Sequence, residues 1–150
     1  MKPLLVGESN PYGADPRYAL YPLPKGSAGD RLCRLVLQMG LREYVKAFER
    51  VNLCAGPWST PGAREAARRI FLARDYLKDG SQVVMLGAKV TNAFGFNFAP
   101  FVVYAERFVC LPHPSGLSRA WNDPGSYALA RSTLERAGVV AHIDSRVATA

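Results

Sequence analysis

The chain has 150 residues, 49% of them hydrophobic, which is enough to bury one substantial core and marks a globular protein. Lys and Arg number 19 against 12 Asp and Glu; the formal charge of +7 favours an anionic partner without choosing between nucleic acid, nucleotide and anionic membrane. Cys33, Cys54 and Cys110 are odd in number and form no C-x-x-C pair, so reduced, buried thiols are expected rather than a disulfide framework, and no zinc or iron–sulfur pattern is offered.

Taken in order, the chain opens on Pro3-Leu-Leu-Val6, a short apolar run that reads as a buried strand ending at Gly7. Such a strand begins almost at once, with no leader pattern before it, and no apolar run reaches transmembrane length. A cytoplasmic or cell-interior setting without membrane association is therefore expected. The loop Glu8-Ser-Asn-Pro-Tyr-Gly13 follows, with Asn10-Pro11 as a turn signal. From 14 to 29 the chain is expected to stay irregular, and its Tyr18, Tyr21, Pro22 and Pro24 favour a binding loop. Leu32, Leu35, Val36 and Met39 share a helical face over 28–39, with Gly40 as the stop. A second short helix is expected over 41–48 and a strand over 51–54. A long helix follows over 61–78, capped by Thr60 or Pro61 and stopped by Gly80. Residues 82–86 are the clearest buried strand, 88–94 a further helix, and 100–104 and 107–111 are strand-like, either a bent hairpin or two sequential strands. The last helix is expected over 127–137, and the tail after 140 is expected to pack loosely. Short apolar strands alternating with amphipathic helices predict an α/β protein. The expected architecture is a single domain over 1–150, a three-layer α/β/α sandwich around a mostly parallel four-stranded sheet.

In such folds ligands bind beyond the carboxyl ends of the strands, and three informative loops fall there. Glu8 can orient water or balance positive charge; its plainer role is a local cap. Asn10 can orient water through its amide carbonyl, or simply form the Asn-Pro turn. Asn52, an amide inside an apolar strand, needs partners or costs desolvation, and could read a base edge through one donor and one acceptor. His113 stands between Pro112 and Pro114; Pro114 biases it away from helical geometry, so the turn presents the imidazole. It could stabilise an oxygen gaining negative charge, move a proton, or merely tie down the turn. Leu117 lies in a polar loop and could wedge into a base stack or pack against Trp121. Arg119 and Ser115 could contact phosphate. Tyr12, Tyr18 and Tyr21 offer stacking faces. The G-x-S-x-G elbow, the G-x-G-x-x-G run and the Walker signature are all absent, so a serine hydrolase and a dinucleotide enzyme are disfavoured.

Two of these loops, Gly7-Glu-Ser-Asn-Pro-Tyr-Gly13 and His113-Pro-Ser-Gly-Leu-Ser-Arg119, resemble the signature loops of the uracil-DNA glycosylase superfamily. The Ser-Gly-Leu-Ser-Arg portion looks most like the mismatch-specific uracil/thymine branch, and its histidine like the branch dedicated to uracil. The resemblance runs roughly from Lys2 to Gly138, without the N-terminal helical region of many relatives. It implies that Asn10 orients the attacking water, Tyr12 walls off a thymine methyl and Asn52 reads uracil's edge. It further implies that His113 donates to uracil O2, Leu117 intercalates and Arg119 contacts the backbone, with Tyr21 as the stacking aromatic. The first loop has one residue more than the usual Gly-x-Asn-Pro or Gly-x-Asp-Pro arrangement. Glu8 could then be the functional carboxylate, as in the Gly-Glu-x-Pro-Gly iron–sulfur branch, whose four cluster cysteines are not here. The implied activity is hydrolysis of the N-glycosidic bond of uracil or a related damaged base in DNA by base flipping, with no cofactor and no metal, by a monomer. Two other readings are a non-catalytic binder of nucleic acid or of a protein partner, and a nucleoside or nucleotide hydrolase.

Overall fold

A computed structural model describes residues 2–9, 15–74, 81–115 and 118–140. Asn10, Tyr12 and Leu117, the Gly80 stop and the tail after 140 lie outside the described residues.

Strand β1 spans Leu4–Ser9, β2 Glu49–Cys54, β3 Val83–Leu86, β4 Val102–Tyr104 and β5 Phe108–Leu111. They form one sheet in the order β2-β1-β3-β5-β4. The β1–β2, β1–β3 and β3–β5 pairs are parallel, and β4 runs antiparallel to β5. The sheet thus has five strands, not four: the 100–111 stretch folds as a hairpin and adds an antiparallel edge. Its turn is unannounced in the sequence because Ala105 and Glu106, neither of them a usual left-handed residue, both take positive φ, 50° and 65°.

Alternation along the strands divides the core in two. Leu5, Val84, Leu86, Val109 and Leu111 face one layer, and Leu4, Val6, Val83, Met85, Phe108 and Cys110 face the other. The first layer holds α1 (Ala28–Asp30), which runs into a π-helical stretch, Arg31–Val36, together with α2 (Leu41–Ala47) and α5 (Gly125–Arg136). The second holds α3 (Thr60–Ala73) and α4 (Ala88–Ala93). This is the expected three-layer α/β/α sandwich. Cys33, Cys54 and Cys110 are buried free thiols, and burial pushes the Cys33 thiol up.

Several ends differ from the expectation. The π-helical stretch closes at Gln38, in the left-handed region at φ 54°, with the Met39 N–H donating to the Cys33 carbonyl; Gly40 instead caps the start of α2. Ser59, not Thr60 or Pro61, caps α3: its hydroxyl accepts from the Gly62 N–H at 3.2 Å. That helix finishes at Ala73, because Arg74 turns inward beneath the sheet. There its guanidinium donates to the Lys2 carbonyl at 2.9 Å, to Glu49 at 2.6 Å and to the Ser81 hydroxyl. Among the described residues, no helix is long and apolar enough to cross a membrane.

Candidate active site

β1 and β3 are neighbours, yet from them the chain builds outward in opposite directions, to β2 on one side and to β5 on the other. A crevice is expected above such a switch point. One is present, about 270 Å³ in volume, lined by the anticipated Glu8, Tyr18, Tyr21, Asn52, His113 and Ser115, by Leu20 from the segment before α1, and by residues 27–29 at the start of α1. It lies just below the roughly 300–1,000 Å³ of pockets for drug-sized ligands, a size suited to one small ring system.

His113 follows β5 on a tightly held turn. Its carbonyl accepts from the Trp121 indole N–H at 2.8 Å, and the Pro114 carbonyl accepts from the Arg31 guanidinium at 2.9 Å. The turn packs closely on the end of β3: Gly87 has φ 97°, and a Cβ there would meet the His113 Cβ at 3.2 Å. The imidazole Nδ1 accepts from the Ser115 backbone N–H at 3.2 Å. A nitrogen that accepts carries no proton, so the neutral ring keeps its hydrogen on Nε2. Burial pushes the pKa of this ring below its ordinary value of 6.5; Glu8 pulls it up and Lys89 pushes it down. Lys89 also lies over the Trp58 ring, 5.6 Å from its centroid. At neutral pH the cleft therefore presents an uncharged N–H donor.

Glu8 is half-buried and sits within β1, which runs on to Ser9; it is a strand residue, not the first loop residue. Asn52 pairs in register with Gly7 across the parallel β1–β2 ladder. A Cβ on Gly7 would lie 2.5 Å from the Asn52 Oδ1, so glycine is what leaves room for the carboxamide. Among the described residues, nothing hydrogen-bonds that carboxamide, and it stays available to a ligand in the cleft.

The segment expected to be irregular has, before α1, only the 3-10 turn Pro16–Tyr18 among its described residues, and tertiary contacts tie it down. Leu20 has φ 51°, and its carbonyl accepts from the buried Tyr44 hydroxyl at 2.7 Å. Arg50 donates to the Ala19 carbonyl at 2.9 Å and lies over the Tyr21 ring, 5.6 Å from its centroid. Ser27 caps α1 by accepting from the Asp30 N–H at 3.2 Å. Gly29 packs so near the Leu20 and Tyr21 carbonyls that any side chain would collide with them. Tyr21 is thereby held as one wall of the cleft.

Six anticipated residues, Glu8, Tyr18, Tyr21, Asn52, His113 and Ser115, come together. Arg119 does not line the cleft; it is exposed on the 3-10 turn Arg119–Asn122. Asn10, Tyr12 and Leu117 lie outside the described residues. Sequence reasoning missed Leu20, Gly29 and Arg31. The capping spacing Ser27-Ala-Gly-Asp30 was a usable signal for the α1 start, whereas nothing local marks Arg31 as the residue that pins Pro114.

Family models, curated proteins and solved structures return no match to this chain. The cleft offers a fixed neutral donor, a carboxylate, an open amide and an aromatic wall. Such a set can read a small planar heterocycle and stabilise negative charge developing on it.

Proposed function

We propose that this chain is a DNA glycosylase of the uracil-DNA glycosylase type, hydrolysing the N-glycosidic bond of uracil or a related damaged base. The observation that carries the reading is the convergence of Glu8 on β1, Asn52 on β2 and His113 on the turn after β5 on one base-sized cleft, with the imidazole proton confined to Nε2. The target nucleotide leaves the stack and its base enters the cleft. Asn52 pairs with the base edge and Tyr21 covers its face. The bond between the sugar C1′ and the base nitrogen breaks with its electron pair going to the base, and His113 Nε2–H donates to the base oxygen that gains charge. Water adds to C1′; Glu8, or Asn10 as the resemblance implies, orients it, and the Glu8 carboxylate also favours the cationic sugar. The water proton ends on the departing base. Ser115 and Arg119 grip the backbone, and Leu117 fills the gap left by the extruded nucleotide.

The test uses single- and double-stranded oligonucleotides carrying one uracil, with alkali revealing each abasic site. The expected result is cleavage by the parent chain and a loss of about 10²–10³ in rate for His113→Ala, the usual cost of removing one such donor. Glu8→Gln, Asn10→Ala and Asn52→Ala separate the water-orienting group from the base-reading one. Tight binding of the uracil strand with no base release would establish a binding module instead. Release from free deoxyuridine alone would establish a nucleoside hydrolase.

A further inference from the structure

An exposed apolar shelf runs away from the cleft. Tyr18, Leu23, Leu41 and Val45 are 41%, 47%, 46% and 39% exposed, high values for large apolar residues. They are contiguous rather than scattered. Tyr18, Tyr21, Leu23 and Pro24 line a depression of about 300 Å³, and Tyr21, Leu23, Leu41 and Val45 line a second of about 420 Å³. Tyr18 and Tyr21 also line the cleft, so cleft and shelf are one surface. A contiguous apolar patch of this kind marks a binding face.

We propose that this shelf is the path by which a single-stranded nucleic acid reaches the cleft, its bases lying on Tyr18, Leu23 and Leu41 and its phosphates meeting Arg42 and Lys46. The proposal rests on the cleft being a base-excision site, and it names the form of substrate that site takes. Charge selects the occupant. Arg42 and Lys46 line the second depression, and the exposed Lys25 follows Pro24. Of the nearby carboxylates, Asp15 is paired with Arg17 at 2.7 Å, and Glu43, exposed on α2, lines neither depression. The whole chain carries +7. The apolar character selects the strand state. A duplex hides its base faces and presents phosphates and polar groove edges, which an apolar shelf cannot satisfy. A single strand exposes base faces, and aromatic side chains beside cations are how such strands are held without regard to sequence.

The experiment is fluorescence anisotropy with a labelled uracil-free oligothymidylate and with a uracil-free duplex of equal length. Uracil release from a single strand is measured on the same proteins. The parent is expected to bind the strand at least about tenfold tighter than the duplex. Tyr18→Ala should lose about tenfold for the strand with duplex binding unchanged, since one stacked base accounts for a loss of that order, and the double variant Arg42→Glu, Lys46→Glu should lose at least about tenfold for the strand and less for the duplex. Tyr18→Phe should bind as the parent does, and thermal melting verifies that each variant folds. Equal affinity for strand and duplex, parental strand binding by both variants, or a concentration-dependent dimer that the charge-reversed variant abolishes would overturn the proposal. Uracil release that ignores the shelf variants removes the shelf and spares the cleft. Shelf-dependent strand binding with no release keeps the shelf and removes the excision chemistry.

Discussion

His113 shows how a single side chain joins site chemistry to stability. Its Nδ1 accepts from the Ser115 N–H, so a proton arriving at Nδ1 would set two donors against each other. Burial already disfavours the charged ring and pushes its pKa down. The single-turnover rate of base release should therefore hold steady as pH falls through about 6.5, the ordinary histidine value, and decline only below it. A decline centred at or above that value would contradict the neutral-donor role. The same shift has a stability sign. A lowered folded-state value stabilises the fold above the unfolded value near 6.5, and the contribution is lost as pH falls from there through the folded value. Melting temperature should thus drop more between pH 7 and pH 5 for the parent than for His113→Gln. The bracketing prolines made this histidine legible in the sequence. Its tautomer was not, because that depends on where the Ser115 N–H points in space. Asn52 was legible as an amide in an apolar strand, but its dependence on Gly7 was hidden, since parallel register joins residues distant along the chain. Gly7→Ala should drive the carboxamide aside. The expected outcome is a destabilisation of roughly 1–3 kcal/mol, as for other overpacking changes, with a larger rise in KM for the uracil strand than an equally destabilising core variant shows.

At the level of elements, the readable parts were those whose periodicity matched their surroundings: the buried strands, α2, α3 and α4 were all visible within a few residues. The unreadable parts were held by tertiary contacts against local preference. The β4–β5 turn is one, with Ala105 and Glu106 at φ 50° and 65°. Left-handed geometry costs an ordinary residue roughly 1–2 kcal/mol, and glycine gives back part of that gain through its freer unfolded chain. Changing the pair to asparagine and glycine, Ala105→Asn with Glu106→Gly, should add about 1 kcal/mol. In a chain of this size that is a rise of about 2–4 °C in melting temperature; an unchanged or lower value would mean that the turn is not strained. Arg74 is the second case. A helix-period reading carries α3 past it, yet its side chain is only 8% exposed and ties the amino ends of β1, β2 and β3 together through Lys2, Glu49 and Gln82. Arg74→Ala should cost about 2–3 kcal/mol in chemical denaturation. That is below the 3–5 of a fully buried pair, since Glu49 keeps half its side chain in water, and near the worth of one or two charge-assisted hydrogen bonds.

Across the whole molecule, the Arg74 clamp and the cleft occupy opposite edges of the sheet. The amino edge holds the Arg74 clamp, and the carboxyl edge holds the cleft, where Leu20 takes a left-handed conformation and Asn52 keeps an open amide. The cleft edge is held as firmly, by Arg31 on the Pro114 carbonyl, Trp121 on the His113 carbonyl and Tyr44 on the Leu20 carbonyl, so its open polar groups sit on a fixed frame. The charge of +7 favours an anionic partner, yet a total says nothing about which cations would act. Position separates them. Arg119 is exposed on the turn that follows the His113 loop, whereas Arg69 lies along α3 and is engaged with Glu65 at 3.4 Å. Each phosphate contact with a single strand contributes about −0.7 to the slope of log affinity against log salt. Arg119→Ala should therefore flatten that slope by about 0.7 with the uracil strand, while Arg69→Ala leaves it unchanged even though both remove one positive charge. If the two variants flatten it equally, the chain attracts nucleic acid only through its overall field, and the cleft loses its claim to be where the strand docks.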